Sequence, residues 1–168
     1  SRAQLIHARS LGKIVTTHEL SDWAESELLK NSSKKGAVHP ALLDSSFLID
    51  LEREIQAGIA GKAIEWLRRE CGKKQRALFV TSVSAAEFLE GCEDTERGLE
   101  FLSHYIPQGI GSQHSTKCAE IQRRAAKRGS RFSEDDAWQI AFAECAKASI
   151  VARDTKALTH LGDRYEQF

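Results

Sequence analysis

The sequence predicts an α/β protein with parallel strands, and two observations support this class. Of its 168 residues, 41% are hydrophobic and 29% are charged, which is the composition of a globular domain. From residue 41 onward, short apolar runs alternate with stretches of helical periodicity, as in parallel strands joined by crossover helices. A polar, turn-rich stretch at 31–36 precedes this pattern. We therefore expect an N-terminal helical arm and linker at 1–38 and a main domain at 39–168.

The arm is predicted to contain one amphipathic helix over about residues 17–30. Its apolar residues recur at helical spacing: Leu20, Trp23, Ala24, Leu28 and Leu29. An exposed apolar face of this kind favours association. We therefore expect the helix to pack on its own domain or on the mate of a homodimer. Covering a functional pocket as an inhibitory segment is the third alternative.

Strands and helices alternate through the first half of the main domain. A strand at 41–44 leads into a helix whose apolar residues share one face: Phe47, Leu48, Leu51 and Ile55. A second helix follows, and the apolar run at 77–81 is predicted to be the second strand. The next helix ends at Gly91, a residue type favoured at helix C-termini. One more short helix is expected around Leu99.

The second half continues the same alternation. A short strand at 105–110, interrupted by a proline, precedes a long helix that Gly129 ends. Ser133 is a predicted N-cap, and three acids follow it in the first turn, where the helix dipole favours negative charge. After this helix, which runs to about residue 147, we expect a strand at 149–152 and an edge strand at 164–168.

Composition excludes several classes of function. The chain carries 24 basic and 24 acidic side chains, so that any binding to a polyanion must come from local patches. No apolar run approaches the roughly 18 residues of a membrane span, and the N-terminus lacks a secretory signal pattern, so we expect a cytoplasmic protein with no membrane partner. The four cysteines form no CxxC pair, which excludes the usual zinc spacings and predicts reduced, mostly buried thiols.

Four acids from distant stretches are the candidate functional residues. They follow predicted strands or open a helix: Asp44, Glu87, Asp136 and Asp154. The carboxyl ends of parallel strands border the crevice where ligands bind, so we expect these acids to converge, although each alone would more often be a cap or a solvated surface residue. Because crowded carboxylates repel one another, a divalent cation would relieve the conflict. Hard oxygen ligands suit Mg²⁺ or Mn²⁺.

A basic segment lies immediately before the acidic helix start. Its cations form a candidate phosphate-binding strip, called the basic strip below: Arg123, Arg124, Lys127, Arg128 and Arg131. A solvated helix face is the alternative interpretation, since charge runs are usually surface.

Four motifs in order resemble the PIN-domain nuclease family. Residues 42–51 are similar to its opening strand, in which an acid precedes a small hydroxyl residue and an apolar helix. Residues 81–91 resemble its second motif, with Glu87 four residues before a glycine. Residues 136–143 and 150–154 resemble the third and fourth motifs, and the likeness extends from residue 41 to 168. Gln139 departs from the pattern, because the family usually has an aliphatic residue there.

The resemblance implies a metal-dependent endoribonuclease with a three-layer α/β/α fold around a five-stranded parallel sheet. Such proteins are often the toxin of a VapBC toxin–antitoxin pair, which implies an RNA substrate and an antitoxin partner. By position, Asp44, Glu87, Asp136 and Asp154 would together hold Mg²⁺ or Mn²⁺. Asp135 competes with Asp136 for the third acid, and Ser46 is either a hydrogen-bond donor supporting Asp44 or an ordinary helix N-cap.

Two other classes of function compete with this one. A catalytically inactive PIN-like module would bind RNA or protein through the same pocket. A phosphotransfer domain also places an Asp after a strand, but a phosphatase of that type needs a second Asp where Ser46 stands. A receiver domain needs a lysine after its last strand with an acidic pair upstream, and neither of these two phosphotransfer classes fits the sequence.

Overall fold

A computed structural model describes residues 40–73, 76–155, 161 and 164–168. The predicted helix of the arm and the boundary at residue 38 lie outside the described residues. Among the helices described, none is long and apolar enough to cross a membrane.

Five parallel strands form one sheet. They are β1 (Ala41–Leu43), β2 (Leu78–Thr81), β3 (Ile106–Gln108), β4 (Ser149–Ala152) and β5 (Tyr165–Gln167), and their order across the sheet is β3-β2-β1-β4-β5. The chain moves outward from β1 through β2 to β3 and then crosses to the other side of β1. The strand order therefore reverses between β1 and β4, which is where open parallel sheets bind ligands at the carboxyl edge.

Six α-helices connect and cover the strands in the described part of the chain. They are α1 (Ser45–Ala57), α2 (Lys62–Lys73), α3 (Ser82–Glu90), α4 (Thr95–Leu102), α5 (Ser115–Lys127) and α6 (Glu134–Ala146). Alternate residues of a strand point to opposite faces, so the sheet is covered on both sides. Leu43 packs into a core with Phe47 and Trp66, whereas Leu42 packs into a second core with Ile121 and Ile140. The predicted three-layer α/β/α fold is confirmed.

The predicted strands lie within two residues of the observed ones. Asp44 falls just beyond β1 rather than inside it, because it is the N-cap of α1. The proline in β3 is tolerated because this strand lies at the edge of the sheet, where a missing backbone donor breaks no internal ladder. Gly129 follows α5 with a φ of 77°, a conformation that glycine adopts without steric cost.

The prediction that the cysteines are mostly buried is wrong for the thiols that the structure describes. Cys145 is exposed, and Cys92 and Cys118 are partly exposed. Cys145 lies near the end of α6, where the solvent face of the helix needs no apolar partner. Partial burial raises the pKa of Cys92 and Cys118, which keeps both as thiols at neutral pH.

A buried arginine ties the last strand to the sheet. The Arg76 guanidinium is 2% exposed and donates to both carboxylate oxygens of Glu166 at 2.8 and 2.7 Å, and to Glu70 at 3.0 Å. Its planar group also lies 5.5 Å from the ring centre of Trp66. Burial alone would raise the pKa of Glu166, but hydrogen bonds and charge from Arg76 hold that pKa below its usual value. We call Arg76, Glu70 and Glu166 the arginine clamp.

Candidate active site

An acidic pocket opens where the strand order reverses. Three of the four predicted acids line it: Asp44, Asp136 and Asp154. Gln139 and an apolar floor complete the lining, with Ile140 from α6 and Ile150 and Ala152 from β4. The acids therefore come together at the carboxyl edge of the sheet, as the sequence predicts.

Local structure places each of these acids. Asp44 ends β1 and caps α1, since its side chain accepts a hydrogen bond from the Ser46 backbone at 3.1 Å. Asp136 lies in the first turn of α6, and its backbone N–H donates to Ser133 Oγ at 3.1 Å. Asp154 lies two residues after β4. Strand ends and helix starts thus deliver three carboxylates to one place.

Glu87 belongs to the same group of charges, although it does not line the pocket. Burial raises the pKa of Glu87 most strongly, and the negative charges of Asp44, Asp135 and Asp136 raise it further. A hydrogen bond with Ser45 lowers it, but the net shift is upward. Because these interactions require proximity, all four predicted acids lie in one region.

The structure gives Asp135 and Asp136 different positions. Asp136 is partly buried and lines the pocket, whereas Asp135 is exposed and is absent from the lining. Both raise the pKa of Glu87, so Asp135 lies close to the cluster without bordering the pocket itself. The geometry therefore favours Asp136 as the pocket acid and places Asp135 near Glu87.

Ser46 links two of the acidic segments. Its hydroxyl donates to Asp44 Oδ2 at 2.5 Å and accepts a hydrogen bond from the Arg153 backbone at 3.2 Å. The alternative that Ser46 is the N-cap is wrong, since Asp44 caps α1. Ser46 therefore joins the end of β1 to the loop that carries Asp154.

Residues of β5 also hold the Asp154 loop, and sequence reasoning missed them. The Tyr165 hydroxyl lies 2.5 Å from the Asp154 carbonyl and 3.1 Å from the Ala152 carbonyl. The side-chain amide of Gln167 donates to the Arg153 carbonyl at 3.2 Å. These contacts join residues 11 to 14 positions apart, so no local pattern announces them.

Gln139 is the other functional candidate that sequence reasoning missed. It is 4% exposed, and its amide Nε2 donates to Asp44 Oδ1 at 3.1 Å. Its Oε1 accepts from the Ser84 hydroxyl at 2.8 Å. The available signal was its departure from the aliphatic residue usual at this position in the resembled motif.

The carboxylates suit a hard divalent cation by their chemistry, while their spacing shows no preformed cage. Among the described residues, no three His, Cys, Asp or Glu side chains are grouped closely enough to hold a metal ion. Mg²⁺ keeps several waters and is commonly bound through only one or two carboxylates. None of the charges that shift the pKa of Glu87 is positive. A hydrated Mg²⁺ or Mn²⁺ therefore fits the donor set, with Asp44, Asp136 and Asp154 as the residues that would hold it.

The basic strip divides into two parts. Arg124 is neutralised by Glu144, with 3.1 Å between its Nη2 and Glu144 Oε1. Glu144 lies eight residues beyond Asp136 on α6, or about 12 Å along the helix axis. Arg128 and Arg131 are exposed and lie in the segment that joins α5 to α6, whose first turn carries Asp136. The C-terminal part of the strip is therefore the part nearest to a pocket acid along the chain.

Known structures share this fold. A DNA-bound VapBC from Salmonella typhimurium aligns with a TM-score of 0.60 at 15% identity, covering 77% of this chain and 98% of that chain. A toxin–antitoxin complex from Klebsiella pneumoniae gives 0.57 at 20% identity, covering 75% and 98%. VapBC-1 from nontypeable Haemophilus influenzae gives 0.57 at 15% identity, covering 77% and 96%. No protein-family model and no curated protein matches the sequence.

These alignments establish the fold. The described chain is an α/β protein with a five-stranded parallel sheet of the PIN type, like chains found in VapBC complexes. The family resemblance drawn from the four motifs is thus confirmed at the level of the fold. At identities of 15 to 20%, activity does not follow from the likeness and is taken up as a proposal.

Proposed function

We propose that the chain is a metal-dependent endoribonuclease that hydrolyses RNA at the acidic pocket. One observation carries this proposal. Acids from separate elements of the fold gather where the strand order reverses, and burial together with their mutual repulsion raises the pKa of Glu87. A fold that served only its own stability would gain by dispersing these charges. The proposed ligands are Asp44, Asp136 and Asp154, which line the pocket, with Glu87 beside them as the fourth acid of the predicted set.

The proposed chemistry divides between an ion and the chain. A bound Mg²⁺ or Mn²⁺ supplies an acidified water and screens charge on the scissile phosphate. The carboxylates would position the ion and would not attack the phosphate themselves. Ser46 and Gln139 hold Asp44 by hydrogen bonds. Hydrogen bonds from Tyr165 and to Ser46 hold the loop that carries Asp154. By the family resemblance, the products would carry a 3′-hydroxyl and a 5′-phosphate.

The basic strip is the proposed RNA-binding surface. Arg123, Lys127, Arg128 and Arg131 are exposed. Phosphate contacts make binding salt-dependent, with a slope of about −0.7 per contact on a logarithmic scale for single strands. We expect Arg131→Gln to weaken RNA binding and to reduce this slope. Arg124→Gln is the control, because the Arg124 side chain is already paired with Glu144. If both variants weaken RNA binding equally, the assignment of the basic strip as the RNA-binding surface is contradicted.

A role as a toxin with an antitoxin partner is proposed from the same resemblance. The aligned structures from Klebsiella pneumoniae and Haemophilus influenzae are described as a toxin–antitoxin complex and as VapBC-1. A small neighbouring reading frame with a DNA-binding pattern would support this role. Cytoplasmic location and a homodimer stay predictions, and light scattering of the full chain tests the latter.

The decisive experiment is RNA cleavage by the purified full chain. We expect cleavage with Mn²⁺ or Mg²⁺, none with EDTA, and a loss of at least about 100-fold for Asp154→Asn, since metal-bound water supplies the nucleophile. Asp94→Asn is the matched control, because Asp94 caps α4 outside the pocket and Asn caps equally well. Cleavage that persists unchanged in Asp154→Asn would overturn the proposal.

A catalytically inactive binding module is the second candidate. It is favoured by the finding that no three potential ligands in the described ranges are grouped closely enough for a metal ion. It is also favoured by the second role of Asp44 as a helix cap. This candidate predicts RNA or protein binding that needs no divalent ion and that survives Asp154→Asn.

A further inference from the structure

A second cavity opens at the same edge of the sheet as the acidic pocket. It lies at the carboxyl ends of β2 and β3, where Thr81 pairs in register with Gln108, and it has a volume of about 200 Å³. Most of its lining is apolar and comes from Val80, Ala85, Leu102 and Pro107. The polar part of the lining comes from Thr81, Ser82 and Gln108. We call this site the edge cavity.

The edge cavity lies beside the acidic pocket. Strand β2 is the neighbour of β1, and the register that pairs Leu42 with Phe79 places Thr81 next to Asp44 when it is continued by two residues. Adjacent strands lie about 4.8 Å apart, so a cavity between β2 and β3 lies roughly 5 to 10 Å from Asp44 along the edge. This distance is on the scale of one nucleotide. An RNA strand with a phosphate at the acidic pocket can therefore reach the edge cavity with a neighbouring base.

Helix α3 forms the wall between the two sites. Ser84 faces the acidic pocket, since its hydroxyl donates to Gln139 at 2.8 Å, whereas Ala85 lines the edge cavity. Thr81 also lines the cavity and donates to Ser84 at 3.3 Å, and both residues are fully buried. Because the wall consists of packed, hydrogen-bonded groups, it holds the cavity at a fixed distance from the acids.

The start of α3 offers a path for the RNA backbone between the two sites. Its first turn carries no acidic residue, whereas the first turn of α6 carries three. The free N–H groups and the dipole at a helix N-terminus attract phosphate. A phosphate that crosses the start of α3 therefore meets no acid of that turn.

The lining of the edge cavity suits one planar ring with polar edges. Pockets for drug-sized ligands hold about 300 to 1,000 Å³, so this smaller cavity takes one ring system and not several nucleotides. In the described part of the chain, neither the Gln108 side chain nor the Ser82 hydroxyl is engaged in a hydrogen bond. An aliphatic side chain from a protein partner would cover these groups without pairing them. A nucleobase presents donors and acceptors on its edge and would satisfy both.

We propose that the edge cavity binds one nucleobase of the RNA, next to the phosphate that is cleaved at the acidic pocket. This inference rests on the proposed function, because it adds a subsite to the same substrate path. The apolar lining contacts the faces of the ring, and Gln108 and Ser82 read its edge. The cavity therefore gives the cleavage a base preference at one position beside the cut.

The test is cleavage of a single-stranded RNA of mixed sequence by the full chain with Mn²⁺. Ala85→Leu fills the edge cavity, and we expect kcat/KM to fall roughly 10-fold, the size of losing the stacking of one base. Calorimetry should show unchanged Mn²⁺ affinity, because the acids are untouched. Ala86→Leu is the matched control, since Ala86 is exposed on the same helix and does not line the cavity.

An RNA with one abasic nucleotide locates the subsite. When the abasic nucleotide is moved along the strand, we expect the wild type to lose roughly 10-fold in kcat/KM at one position beside the cut. The same RNA should cost Ala85→Leu little, because its cavity is already filled, so the two losses are not additive. If the abasic loss keeps its full size in Ala85→Leu, the cavity holds no base and the inference is overturned.

A second variant tests the polar part of the lining. Gln108→Leu removes the amide and should flatten the base preference beside the cut, also if Ala85→Leu fails to fold; an unchanged preference overturns the inference. If the wild type cleaves RNA and Ala85→Leu matches Ala86→Leu, the subsite is overturned while the nuclease proposal stands. If the wild type cleaves no RNA with Mn²⁺, the nuclease proposal fails and the subsite fails with it.

Discussion

Two groups of carboxylates in this molecule have opposite electrostatic surroundings. In the arginine clamp, Glu70 and Glu166 meet a buried guanidinium, and the pKa of Glu166 lies below its usual value. Beside the acidic pocket, burial and the negative charges of Asp44, Asp135 and Asp136 raise the pKa of Glu87 above its usual value. The clamp brings its own cation, whereas the proposed function requires a bound cation to balance the charges of the pocket.

The last strand connects the two groups. On β5, Glu166 reaches Arg76 in the clamp, while its neighbours Tyr165 and Gln167 hold the loop that carries Asp154. The arginine clamp therefore holds the same strand, β5, that positions the Asp154 loop of the acidic pocket. Fold stability and the geometry of the pocket are coupled through three residues.

The largest expected effect comes from removing the buried cation. Arg76→Met removes the buried guanidinium that Glu70 and Glu166 share. Breaking a buried ion pair in this way costs about 3 to 5 kcal/mol. Denaturant unfolding measures the loss. Arg69→Met is the control, because the Arg69 side chain is 53% exposed and its pair with Glu70 is expected to contribute less than about 1 kcal/mol. Equal losses of unfolding free energy in the two variants would show that the arginine clamp contributes no more to stability than an exposed ion pair.

The pH dependence of stability should separate the two groups next. The depressed pKa of Glu166 contributes stability above its unfolded value of 4.5, and this is lost as pH falls through the folded pKa. The raised pKa of Glu87 works in the opposite direction: its contribution is full below 4.5 and is lost as pH rises through the folded pKa. The denaturant midpoint is measured from pH 3 to 8. Glu166→Gln should reduce the loss of stability at acidic pH, and Glu87→Gln should reduce the loss of stability as pH rises above 4.5. Unchanged limbs would contradict the assignment.

Removing the charge of Glu87, beside the pocket, should stabilise the protein when no metal is added. Glu87→Gln is expected to gain on the order of 1 kcal/mol, the size of one repulsion between hydrated charges about 4 Å apart. Glu90→Gln, an exposed change on the same helix, should gain nothing. Thermal unfolding in EDTA and in Mn²⁺ checks both, because bound Mn²⁺ should stabilise the wild type more than Glu87→Gln. If Glu87→Gln is less stable than the wild type in EDTA, repulsion between Glu87 and the neighbouring carboxylates does not destabilise the fold.

The smallest expected effect lies at the link between the groups. Tyr165→Phe removes one hydroxyl from the Asp154 loop and should cost about 0.5 kcal/mol, in the low range for a partly exposed hydrogen bond. Calorimetric titration with Mn²⁺ should nevertheless show weaker binding, because the loop loses an anchor. A stability loss with unchanged Mn²⁺ affinity would show that the strand supports the fold alone.

The sequence predicts the scaffold well because the scaffold obeys short-range rules. Apolar runs mark the strands, and helical periodicity marks the connections between them. The acids at strand ends follow from topology, since the carboxyl ends of parallel strands share one edge. Asp44 and Asp154 meet for this reason, although no local pattern joins them.

The supporting contacts could not be predicted because they depend on side-chain orientation between distant residues. Gln139 meets Asp44 across 95 positions and Ser84 across 55. The ion pair between Arg124 and Glu144 likewise joins residues 20 positions apart. It distinguishes Arg124 from the other cations of the basic strip, which the sequence alone does not do. Neither periodicity nor charge pattern records which side chains turn toward each other.

The second role of Asp44 affects how this protein should be dissected. As the cap of α1, Asp44 contributes to folding, and an alanine there would cost about 1 kcal/mol in addition to the lost carboxylate. An alanine scan would therefore score poor expression as lost function. Asparagine caps helices as well as aspartate does, so it removes the charge and spares the helix. A laboratory that wants a well-folded variant without this carboxylate should make that substitution.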